Sequence, residues 1–278
     1  MKVSILTVPY DSGYYRVRMG RGPEHLTEMG LRPLLSSLGC QVTAEDVLLA
    51  DSYPAAIHCA FALSKKVSER VRVQRSQVYF PIVLSGNCNT AVGAVCGCGC
   101  RTTGVVWLDA HGEANTPETT TSGFLDGMGI AILTGQCWYK LAAAIPEFEP
   151  VSGTRILLVG SRDVEAEECV LLDRIGVRRL PTIEDLEFSL ESLAHEVGGG
   201  YLHVDLDVLD PAVAVANQWA TPGGLSIAAV TSAAEAIQAH TTIKGLGIAS
   251  YDPDWDQDRR AIIAACSIAK SVLSTLPA

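Results

Sequence analysis

The stretch Val105–Gly129, VVWLDAHGEANTPETTTSGFLDGMG, decides how this chain is read. Its opening run, Val105-Val106-Trp107-Leu108, is apolar without alternation, the composition of a strand buried on both faces of a parallel sheet. The run ends in Asp109-Ala110-His111-Gly112-Glu113, three metal-capable side chains at alternate positions. In extended chain, residues two apart point the same way, so all three can face one point beyond the strand's end. A second segment, His203-Val204-Asp205-Leu206-Asp207-Val208-Leu209-Asp210-Pro211, also closes a strand-like run with carboxylates spaced by two.

Together Asp109, His111, Glu113, Asp205 and Asp207 bring four carboxylates and one imidazole to two strand ends. Carboxylates packed this way repel and raise one another's pKa unless a cation neutralises them. Hard oxygen donors with an imidazole suit Mn²⁺, and also Mg²⁺, Zn²⁺ or Fe²⁺. Bridging carboxylates hold two such ions about 3.5–4 Å apart, and a hydroxide shared between them is a nucleophile at neutral pH. Asp210, just before Pro211, is read as a turn residue instead.

Around these motifs the chain alternates strand-like and helix-like segments. Strands are expected at Val3–Val8, Gln41–Val47, Phe80–Leu84, Val105–Leu108, Arg155–Val159, Val177–Leu180, Tyr201–Asp207 and Ile243–Ala249. Helical spacing marks Glu24–Leu38, which Gly30 and Pro33 threaten to break, then Ala55–Arg75, Ala91–Cys96, Leu125–Leu133, Ala166–Ile175, Leu186–Val197, Ser226–Ala239 and Arg259–Leu273. Eight strands alternating with helices indicate an α/β fold with a mostly parallel sheet covered on both faces. Ser85-Gly86-Asn87-Cys88-Asn89-Thr90 follows the third strand, at the carboxyl end where open α/β sheets bind ligands. The loop from Tyr10 to Pro23 carries Arg16, Arg18 and Arg21, read as solvated arginines. Neither repeats nor low-complexity linkers divide the sequence, so 1–278 is read as a single domain.

Composition narrows the function. A net charge of −10 without a basic run argues against nucleic acid. No stretch has the apolar length of a membrane span, and the run within MKVSILTVPY is too brief for a signal-peptide core, so a cytoplasmic enzyme is expected. Nine cysteines, an odd number in apolar surroundings, are read as reduced thiols. Cys96-Gly97-Cys98-Gly99-Cys100 lacks zinc-knuckle spacing and is read as small residues turning between a helix and the Val105 strand.

The Asp109–Glu113 and Asp205–Pro211 motifs resemble those of the arginase, or ureohydrolase, superfamily. The resemblance extends through Asn115–Gly123, Gly160-Ser161-Arg162-Asp163 and Thr221-Pro222-Gly223-Gly224-Leu225-Ser226, covering most of the chain in order. It implies a three-layer αβα sandwich and a binuclear Mn²⁺ hydrolase attacking guanidino or amidino carbons, commonly releasing urea. It also implies that Asp109 and Asp205 bridge the two ions while His111 and Asp207 complete one of them. Glu113 matches a metal-ligand position that is usually aspartate, and here would also orient the attacking hydroxide. Asn115 and Ser122 match positions that hold a substrate α-carboxylate, and Glu165 an acidic position near the α-amino group. Trimers are common in the family, so a homo-oligomer is a further expectation.

Besides Glu113, four positions depart from the pattern. Cys88 stands where the second metal takes a histidine, and its softer thiolate would favour Zn²⁺ or Fe²⁺, or leave that site partly occupied. Asp126 replaces a proton-shuttling histidine and is expected to assist the leaving amine. Phe124 replaces a polar residue near the α-carboxylate, and Ser250 replaces the glutamate that pairs with the guanidinium. Unmodified arginine is thus a doubtful substrate, and N-hydroxyarginine or another guanidino acid fits better. The competing reading is a catalytically silent family member that binds a guanidino metabolite or serves as a subunit.

Overall fold

Eight strands form one sheet, and every neighbouring pair runs parallel. In chain order they are β1 (Lys2–Val8), β2 (Gln41–Asp46), β3 (Phe80–Ser85), β4 (Gly104–Leu108), β5 (Ile156–Val159), β6 (Arg178–Leu180), β7 (Gly200–Asp205) and β8 (Ile243–Ala249). Across the sheet the order is β2-β1-β3-β8-β7-β4-β5-β6. The computed structural model describes residues 1–50, 53–274 and 276; positions 51, 52, 275, 277 and 278 of the expected domain lie outside them.

Strand alternation sorts the core into two clusters, one on each face. Val105, Trp107 and Tyr201 pack with the helices Ala56–Ser76 and Ala91–Cys98. Val106, Leu108, Leu202 and Val204 pack with Leu186–Ala194, Ile227–His240 and Arg260–Ser274 on the other face. The result is the expected three-layer arrangement. Ser226 caps its helix by accepting from Ala229 N at 3.1 Å, and Pro23 stands at the first turn of another.

The last two strands are inserted between the earlier ones. After β6 the chain returns to lay down β7 and β8 between β4 and β3. The four central strands therefore run β3-β8-β7-β4, and their carboxyl ends open side by side at a place where strand order reverses. Ligands in open α/β sheets bind at such switch points.

Several local expectations change. β7 stops at Asp205, and Leu206–Val208 form a 3₁₀ turn, so Asp207 is placed by a turn rather than by strand alternation. The chain after β4 is not extended either, because Glu113 adopts a left-handed φ of 54°. The break expected at Gly30 and Pro33 is absorbed in one helical run through a π turn, Thr27–Leu31. The arginine loop contains a hairpin, Tyr10–Asp11 with Tyr14–Tyr15. Its arginines are paired rather than simply solvated: Arg16 with Glu24, Arg18 with buried Asp11, and Arg21 with Asp252 and Asp254. The helix expected to stop at Cys96 runs on to Cys98. All nine cysteines are free thiols, and among the described residues Cys96, Cys98 and Cys100 enter no metal-binding group. No helix of the described residues is long and apolar enough to cross a membrane.

The two helices on the Trp107 face meet at Gly93, where a Cβ would fall 2.4 Å from the Ser64 carbonyl oxygen. Gly93→Val must push that backbone aside, and overpacking of this kind costs about 3 kcal/mol. A lower urea-unfolding midpoint with an unchanged slope is the expected result.

Candidate metal centre

Parallel register brings the two acidic motifs together. Trp107 pairs with His203 and Leu108 with Val204, so Asp109 at the end of β4 stands beside Asp205 at the end of β7. On the other side of β7, Ala249 pairs with Asp205, and Ala249 in turn pairs with Ser85. Ser250 and Cys88 thus leave the neighbouring strands at the same level.

One group of candidate ligands is Asp109, His111 and Asp207, whose donor atoms all lie within 4.8 Å of one another. His111 Nδ1 is 3.3 Å from Asp109 and 3.4 Å from Asp207. A second group is Cys88, Asp109 and His203, all buried and within the same mutual distance. Asp205 adjoins it, its Oδ2 accepting from the Cys88 thiol at 2.9 Å. Asp109 is common to both groups, as a bridging carboxylate must be. Its orientation is held by Trp107 Nε1, which donates to Oδ2 at 2.9 Å, and by His111 N, which donates to Oδ1 at 2.9 Å. Glu113 belongs to neither group; its Oε2 accepts from Gly129 N at 3.3 Å and it lines the adjoining cavity.

The electrostatics call for cations. Asp109, Glu113, Asp126, Asp205 and Asp207 are all at least nine-tenths buried. Among the described residues no lysine or arginine forms an ion pair with any of them. Arg162, close behind, spends its guanidinium on the backbone carbonyls of Gly160, Asp207, Val208 and Thr221. Burial and the repulsion of Asp207 and Asp109 push the Asp205 carboxyl well up, and burial with Asp109 raises Asp207 to about 6. Burial and the charges of Asp109 and Asp126 do the same to Glu113. Burial opposes charge on His111, but its hydrogen bond to Asp109 and the field of Asp207 hold its pKa at about 10. The Cys88 thiol is pushed far up by burial and by Asp205. Uncompensated buried charges cost several kcal/mol each. Divalent ions would remove that cost, so the donor set fits a metal centre.

Asp126 sits beyond the acids, where it accepts from Asn87 Nδ2 at 2.7 Å and Asn89 N at 2.9 Å. Burial lifts its carboxyl and these two bonds pull it back, leaving it at about 7. A cavity of about 250 Å³ connects these groups with the surface. Asn115, Ser122 and Glu165 line it together with Asp205, Asp207 and Ser250. Glu165 is half-buried and Ser122 exposed, whereas Ser250 is buried with a left-handed φ of 62°. Phe124 stacks on Trp219 at 6.0 Å across the opening. A larger cavity of about 440 Å³ shares Phe124 and Asp126, but it contains neither ligand group.

All the site residues expected from sequence converge here, with Glu113 beside the ligand groups rather than within them. Sequence assigns no role to four further contributors, although Asn87 and Asn89 lie in the strand-end segment expected near a ligand. Asn87 and Asn89 position Asp126, and Trp219 arrives from a distant loop. Glu168 accepts from Ala114 N and Glu165 N, both at 2.9 Å, tying the pocket rim to a helix start. His203 was within reach, since it lies two residues before Asp205 on the same face of β7.

Known proteins resemble this chain over most of its length. A model of the arginase family matches residues 1–274. Arginase from Agrobacterium fabrum (strain C58) is 27% identical over 295 residues, covering 96% of this chain and 89% of its own. The crystal structure of arginase from Bacillus subtilis has a TM-score of 0.87 at 25% identity, with 98% of each chain covered. Proclavaminate amidino hydrolase from Streptomyces clavuligerus shares the fold, with a TM-score of 0.74 at 20% identity over 99% of this chain and 91% of its own.

The metal-free protein should be sensitive to alkali. Asp126 and Asp207 hold protons more tightly folded than unfolded, so the stabilisation this gives at low pH is lost as pH rises through about 7 and about 6. His111 acts in the same sense, its contribution fading from its ordinary 6.5 towards about 10. His203, pushed down to about 4 by burial, opposes them only below its ordinary 6.5. Between about pH 6.5 and 9 the Tm of chelator-treated protein should therefore fall. Added Mn²⁺ or Zn²⁺ should raise it most at the alkaline end; a flat profile by calorimetry would refute this.

Proposed function

The chain belongs to the arginase family, hydrolases of guanidino and amidino C–N bonds, and we propose that it acts on a modified arginine such as N-hydroxyarginine rather than on arginine. The observation that carries this is Ser250. A guanidinium is a delocalised cation that calls for a carboxylate partner, and at this buried position the pocket offers a hydroxyl. N-hydroxylation makes the guanidino group less basic, so its neutral form enters such a pocket at lower cost. The cavity suits an amino-acid skeleton: Asn115 and Ser122 would take the α-carboxylate and Glu165 the α-ammonium. Phe124 and Trp219 would cover the apolar side chain and exclude water.

Asp109, His111 and Asp207 would hold one ion, and Asp109, Asp205 and Cys88 the other. Bound Mn²⁺, or Zn²⁺ or Fe²⁺ where the softer Cys88 takes part, would supply a water acidic enough to act as nucleophile near neutral pH. Trp107 fixes the orientation of Asp109, which would be shared by both ions, and the Asp207 and His111 backbone amides hold Asp205 and Asp109 through bonds of 2.8 and 2.9 Å. Glu113, fixed by Gly129 N, faces the cavity as an acceptor that orients the attacking water. Asp126, balanced near neutrality and fixed by Asn87 and Asn89, gives a proton to the departing amine.

Metal-reconstituted protein should turn over N-hydroxyarginine with a kcat/KM above that for arginine, read as hydroxyurea and urea in one assay. Faster turnover of arginine would overturn the substrate assignment. No turnover of any guanidino acid by metal-loaded protein would favour the silent, metabolite-binding reading. Ser250→Glu should move the preference at least about tenfold towards arginine, the worth of a charged hydrogen bond. Asp126→Asn should lower kcat by about 10²–10⁴-fold while bound metal is unchanged. An unaltered rate would remove Asp126 from proton transfer.

A further inference from the structure

His203 is buried in β7 with only 1% of its surface exposed, and among the described residues neither ring nitrogen has a hydrogen-bond partner. A buried histidine normally finds at least one partner, so this ring is unexplained as a structural residue. The nearest aromatic neighbour, Trp107, lies 4.2 Å away and is tilted by 49°, and its own N–H is directed to Asp109. One ring nitrogen of His203 lies within 4.8 Å of both the Cys88 thiol and an Asp109 carboxylate oxygen. That is about the width of an ion bound at 2.0–2.3 Å by nitrogen, sulfur and oxygen.

The neighbouring strand is cut away to admit the ring. A Cβ at Gly247 would come 2.9 Å from His203 Nδ1 and 2.4 Å from Tyr201 Oη, another buried group without a partner. Nδ1 therefore faces a small space shared with the Tyr201 hydroxyl. Metal-bound histidines characteristically present their second nitrogen to a polar group, and the Tyr201 hydroxyl lies in the same space although no direct bond joins the two. This leaves Nε2 to bind an ion.

We propose that His203 is a metal donor which, with Cys88 and Asp109, turns the second ion site into a mixed nitrogen, sulfur and oxygen set. The inference rests on the binuclear reading above and deepens it. An imidazole and a thiolate together suit Zn²⁺ or Fe²⁺ better than Mn²⁺, whereas the Asp109, His111 and Asp207 group retains oxygen-rich character. The two ions would thus be chemically unequal, with the softer one seated deeper, beside Trp107.

X-ray absorption on the full chain loaded with two equivalents of Zn²⁺ counts the imidazoles directly. Two bound histidines, His111 and His203, give on average one imidazole per zinc, and His111 alone gives one for every two. The higher count is expected, and the lower count overturns the proposal. In parallel, His203→Phe and His203→Gln should bind the second Zn²⁺ at least tenfold more weakly while the first is retained, read by titration and elemental analysis. Wild-type affinity for both ions in either folded variant would also overturn it. Should neither variant fold, the wild-type imidazole count decides alone. If wild-type protein binds no zinc, the binuclear reading itself fails; two bound zinc ions with the lower imidazole count leave that reading intact and remove only His203.

Discussion

The pairing of β4 with β7 is the constraint on which this molecule turns. Because Leu108 lies opposite Val204, two carboxylates are carried to adjacent strand ends and buried side by side. Hydrophobic register enforces their approach: slipping either strand by one residue would turn its whole apolar set to the opposite face. The packed sheet thus holds like charges together against their repulsion, a form of preorganisation whose stabilising partner is a cation. Late insertion of β7 and β8 into the sheet makes this possible, since it sets the two acidic motifs next to each other although they are far apart in sequence.

The eight strands were legible because fully buried parallel strands are written as short continuous apolar runs bounded by turns. Their order was not, since nothing in the composition of β7 says that it lies between β8 and β4. The acidic motifs were legible as ligand candidates, but their local geometry was not. Period-two reasoning treated Asp109–Glu113 and Asp205–Asp207 as extended chain, whereas Glu113 is left-handed and Asp207 sits in a 3₁₀ turn. The left-handed backbone at Glu113 is costly for an ordinary side chain, and it occurs where the chain turns that carboxylate towards the cavity. The roles of Asn87 and Asn89, in a segment already expected near a ligand, and of Trp219 were not legible for a simpler reason. Amides and indoles are common in loops, and only the fold shows that these meet Asp126 and Phe124.

Three of the departures from the family pattern are not scattered. Cys88 Sγ lies 3.5 Å from the Ser250 hydroxyl and donates to Asp205, while Asp126 is fixed by the asparagines on either side of Cys88. They occupy one corner of the site, away from His111 and Asp207. Residues in contact couple energetically, so these positions act as a unit rather than as separate changes. On the proposed reading, a softer ligand, a lost countercharge and a new proton donor would together retune the pocket, while the Asp109, His111 and Asp207 group would keep its oxygen-rich character.

Energetics also weigh against a centre that has lost its purpose. Five buried carboxylic groups that share one imidazole, His111, and have no lysine or arginine partner among the described residues are a standing cost to the metal-free fold. Replacing any one with its neutral amide would relieve repulsion, and a chain needing only its shape would gain stability from the change. Strongly perturbed acids gathered at one cleft are the mark of a functional site. Cations entering the cleft would recover the stability forgone here. The changes from the family pattern gather around Cys88, Ser250 and Asp126, so on the proposed reading that corner would select the second ion and the substrate.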